Sequence, residues 1–186
     1  MTLDILKKSL SEVPIIKKGE YHYLIHPLTD CIPLVKTELL EEVVSEIYNR
    51  INKCGKIDKI VTMEAMGIHI ATGLSLKMKI PFTVIRKKEY GLSYEINVEQ
   101  VTGYSKNHLF INGLKKGDEV VIIDDVLSTG GTLRAVLSAL KKIEVNVKGV
   151  FIVIDKGKEA EKIMDELNVF IESLVKIDIV NGKVMM

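Results

Sequence analysis

Only two cysteines, Cys31 and Cys54, occur in the 186 residues. Isolated thiols without CxxC spacing argue against a disulfide framework and against a zinc site. They fit buried or incidental thiols in a reducing, cytoplasmic setting. Long apolar runs are missing as well, since no stretch approaches the about 20 residues that a membrane span needs. The start, Met1-Thr2-Leu3-Asp4-Ile5-Leu6-Lys7, lacks the charged and then apolar order of a signal peptide, so neither export nor a membrane is expected. A dominant charge is also absent: 26 Lys+Arg against 25 Asp+Glu leaves +1, and no global basic field recommends nucleic acid as a partner. Any anion must therefore be held by a local site. There is no internal repeat, no low-complexity segment, no G-x-x-x-x-G-K-[ST] and no G-x-G-x-x-G, which excludes a P-loop and gives a dinucleotide site no support.

What is present alternates. The length fits one domain, 1–186, with residues 1–36 contributing a small hood or flap, for which the run 21–33 with Pro27 and Pro33 is suited. Within residues 37–50, Leu39, Leu40, Val43, Val44, Ile47 and Tyr48 recur at spacings of three and four and predict a helix. Residues 57–62 predict a strand, 67–78 a helix closed by Pro81, and 82–85 the next strand. Residues 86–106 mix charges, tyrosines and glycines without a sustained period and are expected to form a long functional loop. Strands follow at 119–123 and 149–154, helices at 131–143 and 158–167, and an extended segment at 170–180. Such alternation implies an α/β fold, a mainly parallel sheet flanked by helices, with ligands beyond the carboxyl ends of the strands.

Val120-Val121-Ile122-Ile123 delivers Asp124 and Asp125 to that edge, followed at once by Ser128, Thr129, Gly130, Gly131 and Thr132 and then a helix. Adjacent carboxylates only accept hydrogen bonds, so they suit a vicinal diol or a metal ion. The loop suits a phosphate, because glycines let backbone N–H groups approach, hydroxyls add donors, and a helix N-terminus carries partial positive charge. Helix capping accounts for one of these residues but not all. A diol beside a phosphate describes ribose 5-phosphate.

The run Val121 through Thr132 resembles the phosphoribosyl pyrophosphate motif of the type I phosphoribosyltransferases. That resemblance implies that Asp124 and Asp125 bind the ribose hydroxyls, while Ser128, Thr129, Gly130, Gly131 and Thr132 wrap the 5-phosphate. Thr62-Met63-Glu64-Ala65-Met66-Gly67 is similar to the family's pyrophosphate loop, which makes Glu64, Ala65, Met66 and Gly67 candidates there. Arg86, Lys87 and Lys88 resemble the basic stretch after the next strand, placed to neutralise pyrophosphate. Ile152-Val153-Ile154-Asp155-Lys156, with Glu172-Ser173-Leu174, is like the xanthine enzymes and the purine-repressor fold, and the whole resembles the archaeal hypoxanthine/guanine type.

The resemblance implies a glycosyltransferase of purine salvage, joining a 6-oxopurine to the donor's ribose with magnesium as cofactor. The metal would be held mainly by the donor, with no direct protein ligand, and the enzyme is expected to be a homodimer. Lys156 is the candidate for reading the base. An ammonium group donates to a 6-oxo group but opposes a 6-amino group, although a lysine can also simply snorkel at a strand end. Adenine, xanthine or orotate remain alternative bases, and a regulator sensing purine or donor on the same fold is the alternative class. Residues 1–36 are too few for a winged helix plus a hood.

Ser128 stands where the classical hypoxanthine-guanine enzymes carry an aspartate thought to accept the purine proton. Serine cannot do this at neutral pH, which leaves Glu64, Glu95 and Asp125 as candidates. His26 and Asp30 are read as surface-loop residues, with a place in the hood over the base as the alternative; His69 and His108 are read as structural. Residues 91–106, with Tyr94 and Tyr104, are expected to close over the site and exclude water.

Overall fold

The computed structural model describes residues 2–18, 21–102, 105–180 and 182–186. Its centre is β7, Glu119–Leu127, in which Val120, Val121, Ile122 and Ile123 are completely buried. A strand apolar on both faces must be covered on both, as in a parallel sheet. Five parallel strands run in the order β4-β3-β7-β8-β9, with β3 at Lys59–Met63, β4 at Phe82–Ile85, β8 at Asn146–Asp155 and β9 at Ile171–Lys176.

Each face of the sheet carries its own core. On one side α1 (Asp4–Glu12), α3 (Thr37–Ile51) and α4 (Gly67–Met78) pack Leu6, Leu10, Val43, Ile47, Ile70 and Leu74 onto Val121, Ile123, Phe151 and Val153. On the other, α5 (Gly131–Lys142) and α6 (Glu159–Leu167) bring Leu133, Val136, Leu140 and Ile163 onto Ile122, Val150 and Ile152. From Val150 to Val153 the side chains of β8 alternate between these two cores, as the pleat requires.

Three departures from the sequence reading follow from packing. Residues expected as a long loop instead form an antiparallel hairpin, β5 (Ile96–Thr102) with β6 (Ser105–Ile111). Its apolar positions pair across the strands, Ile96 with Ile111 and Val98 with Leu109, and pack onto the α5 side of the sheet. Arg86 and Phe110 exchange backbone hydrogen bonds of 3.0 and 2.7 Å, which fastens the hairpin to the end of β4. Residues 86–95 remain irregular; Tyr104 lies outside the described residues.

The second departure is α1, whose Leu6 and Leu10, with Leu3 just before them, are buried against α3. The third is the run 21–33. After a small hairpin of β1 (Ile15–Lys18) and β2 (Tyr21–Leu24), it turns through a single helical turn, α2 (Pro27–Asp30), packed against β7. His26, expected on a surface loop, is completely buried there. It caps α2 through Nδ1, which accepts the Leu28 amide at 3.2 Å. The terminal segment also divides: β9 joins the main sheet, whereas β10 (Asp178–Val180) turns back on β11 (Lys183–Met185).

Candidate active site

The carboxyl ends of β3, β7 and β8 open onto a cleft of about 270 Å³. Two turns line it: Glu64, Ala65 and Met66 after β3, and Ser128, Thr129, Gly130, Gly131 and Thr132 after β7. Between them stand Asp124 and Asp125, and Met63, Leu109, Leu133 and Ile152 supply apolar walls. The strand therefore carries the aspartates further than the apolar run suggests, because β7 continues to Leu127 and pairs Asp124 with Ile152 and Leu127 with Asp155.

Burial dominates the electrostatics of both aspartates. Burial pushes Asp124 well above the usual carboxylate range, and the neighbouring Asp125 raises it further. Asp125 is pushed up to about 6, by burial first; Asp30 of α2 adds to this, while a hydrogen bond from Asp124 opposes it. Both shifts disfavour two carboxylates side by side in so confined a place, and hydrogen bonds from sugar hydroxyls or a nearby cation would favour the ionised pair. Among the described residues no group of three His, Cys, Asp or Glu side chains is arranged to hold a metal. The oxygens of Asp124 and Asp125 are suited to an ion shared with a bound substrate.

Local backbone geometry explains the glycines. Gly130 adopts φ +71° as the N-cap of α5, and a Cβ there would lie 2.7 Å from both Arg134 Nη1 and Ile163 Cδ1. Gly67, the first residue of α4, lies behind the cleft. A Cβ on it would run into the Thr62 hydroxyl and come within 3.0 Å of Asp124 Oδ1. The Glu64–Ala65 peptide, in the turn between β3 and α4, is cis.

The expected basic residues separate. Lys87 lines the cleft. Arg86 is ion-paired through Nε to Glu64, and Lys88 is exposed with its ammonium 5.6 Å from the Tyr90 ring. Lys156 follows directly on β8, half-buried, and its amide donates to the Leu127 carbonyl at 2.8 Å. It stands beside the end of β7 but outside the residues lining the cleft.

Glu95 is engaged elsewhere: it accepts the Tyr90 and Gly91 amides and Asn112 Nδ2 at 2.7 Å, and these bonds hold its pKa low. His108 is exposed on the hairpin, bonded through Nδ1 to Asn97, and burial lowers the pKa of His69 in α4. Neither lines the cleft.

The match of a family model, the phosphoribosyl transferase domain, covers residues 34–182. The chain belongs to that phosphoribosyl transferase family. Within it, a protein of Methanothermobacter thermautotrophicus named hypoxanthine/guanine phosphoribosyltransferase is 54% identical over 182 residues, 98% of this chain and 93% of that one. A protein of the same name from Methanocaldococcus infernus is 53% identical over 97% of this chain and 98% of its own. Among solved structures, the adenine phosphoribosyltransferase of Thermoanaerobacter pseudethanolicus superposes with a TM-score of 0.77 at 22% identity, over 94% of this chain and 99% of that one. At that identity the likeness bears on the fold of this phosphoribosyl transferase, not on its base.

Proposed function

We propose that this chain transfers the 5-phosphoribosyl group of phosphoribosyl pyrophosphate to a 6-oxopurine, hypoxanthine or guanine, giving IMP or GMP and pyrophosphate. The observation that carries the reading is the single cleft that gathers Asp124, Asp125, the 128–132 loop and the 64–66 turn. The 54% identity to hypoxanthine/guanine enzymes over nearly the whole chain supports the choice of base.

In this reading the 128–132 loop and the N-terminus of α5 take the 5-phosphate, where glycine-spaced amides and the helix dipole favour an anion. Asp124 and Asp125 accept the ribose hydroxyls. The 64–66 turn, with Gly67 behind it, and Lys87 face the departing pyrophosphate, with Arg86 and Lys88 in outer positions. Magnesium, held chiefly by the donor's own oxygens, supplies charge neutralisation to the leaving group.

Purine N9 attacks the anomeric carbon as pyrophosphate leaves, and the chain's contribution is placement and charge stabilisation. Of the three candidate proton acceptors, Glu95 is tied to the 90–95 turn and Glu64 to Arg86, whereas Asp125 titrates near 6, a working range for a general base. Within residues 1–36 the segment after α1 contributes the hood over the base, α1 itself being part of the core, and the enzyme acts as a cytoplasmic homodimer; the dimer rests on family likeness and is checked by sedimentation.

Lys156 reads the base. Leaving such a donor unpaired costs about 1–3 kcal/mol, which discriminates a 6-oxo from a 6-amino purine. Turnover of hypoxanthine, guanine, xanthine and adenine with the donor and magnesium tests the reading. We expect product from the first two, and a Lys156→Met variant with a raised KM for base and an unchanged KM for donor. Exclusive use of adenine would overturn the assignment of Lys156, and donor binding without any product would favour a sensor.

A further inference from the structure

Arg134 sits in the first turn of α5, where its backbone amide donates to the Gly130 carbonyl at 2.9 Å. A cation there opposes the helix dipole, so its presence needs a compensating arrangement. Two carboxylates of α6 provide it: Nε donates to Glu166 at 2.8 Å and Nη2 to Glu159 at 2.9 Å. The remaining edge of the fork, Nη1, reaches the carbonyl of Thr129 at 3.2 Å and lies against Gly130.

The guanidinium is thus neutralised and committed on three sides, which suits it to be a strut and not an anion ligand. Its position agrees, because Arg134 lines the neighbouring groove between β5 and α5 and not the cleft. The Thr129 carbonyl is accordingly bonded to a guanidinium whose residue stands outside the cleft lining.

Glu159 opens α6 three residues beyond Lys156, and it is itself held by Lys162 at 2.6 Å. One guanidinium therefore joins the turn that follows β7 to the turn that follows β8. A second tie between the same segments, from the Lys156 amide to the Leu127 carbonyl, crosses at the strand ends.

We propose that Arg134 is a positioning residue: it presets the 128–132 loop for the 5-phosphate and links that loop, through Glu159, to the segment carrying Lys156. This rests on the reading that the loop holds a sugar 5-phosphate. Arg134→Ala in the full chain should weaken ribose 5-phosphate about tenfold, the effect of losing one charge-assisted hydrogen bond. Pyrophosphate, measured alone, should stay within about twofold, since its turn does not touch the strut. Glu159→Gln, which leaves Thr129 and Glu166 on the guanidinium, should raise the KM for hypoxanthine with little change in kcat. Glu166→Gln, whose carboxylate joins neither turn, should behave as wild type, and Arg134→Lys should not rescue, because an ammonium cannot span three acceptors.

Unchanged ribose 5-phosphate affinity in Arg134→Ala, or equal losses for ribose 5-phosphate and pyrophosphate, overturns the proposal. Should Arg134→Ala fail to fold, an unchanged KM in Glu159→Gln overturns it alone. Wild-type protein that binds no ribose 5-phosphate removes the sugar-phosphate site itself, a failure visible before any variant is made.

Discussion

Arg86 forms an ion pair with Glu64, which lines the cleft, and the second oxygen of Glu64 accepts the Lys87 amide at 3.0 Å. The carboxylate thus neutralises one of the cations expected to meet pyrophosphate and fixes the backbone at the next. Glu64→Gln should release Arg86 and remove a negative charge, so pyrophosphate should bind several-fold more tightly in calorimetric titrations at low salt. Weaker binding would mean that the carboxylate is needed to shape the turn.

Asp125 titrates near 6 in the fold and near 3.8 when unfolded. Between those values the folded chain holds a proton that the unfolded chain does not, so this group favours folding as pH falls. At pH 8 its ionisation costs about 3 kcal/mol. Asp125→Asn should raise the Tm at pH 8, show no gain at pH 4, and weaken donor binding at least about tenfold. In the wild type, donor affinity should rise with pH through about 6.

His26 acts in the opposite sense. Its Nδ1 accepts the Leu28 amide, and its Nε2 lies 2.9 Å from Ser9 Oγ, which donates to the Leu6 carbonyl at 2.8 Å. The ring proton therefore belongs on Nε2 of a neutral imidazole. Burial lowers the pKa to about 4, with Asp30 opposing. From 6.5 down to 4 the unfolded chain gains a proton that the fold refuses, and about 3 kcal/mol of stability is lost across that window. His26→Gln should flatten this part of the pH–stability curve in chemical denaturation.

Gly67→Ala places a methyl group against the Thr62 hydroxyl, 3.0 Å from Asp124 Oδ1 and 3.1 Å from the Ile123 carbonyl. The expected cost is about 1–3 kcal/mol of stability. Because Asp124 is one of the atoms displaced, the KM for donor should rise more than that for base. A purely thermal effect, with both KM values unchanged, would separate this glycine from the site.

Local composition makes some elements legible. A strand buried on both faces must be apolar throughout, as 120–123 is, and Gly67–Met78 shows its helix through its spacing and the Pro81 stop. The hairpin at 96–111 is harder to read because neither strand keeps a sustained apolar alternation, and its apolar positions find their partners only on the other strand, Ile96 with Ile111 and Val98 with Leu109. Lys156 and Arg134 show the same limit from opposite sides. The first is recognisable as a donor at a strand end. The second carries only one local sign, a cation in the first turn of a helix, and its partners Glu159 and Glu166 lie 25 and 32 residues away.

The amino-acid sequence by itself determines the α/β alternation, the parallel sheet and the acidic and hydroxyl-glycine segment from Asp124 to Thr132, because each depends on neighbours within a few positions. Only the tertiary structure decides that Arg86 is spent on Glu64, that His26 is core, that burial raises the pKa of Asp124 and Asp125, and that Arg134 bridges two turns. Those properties belong to burial and to charges brought together from distant positions, and desolvation and Coulomb energy depend on distance in space.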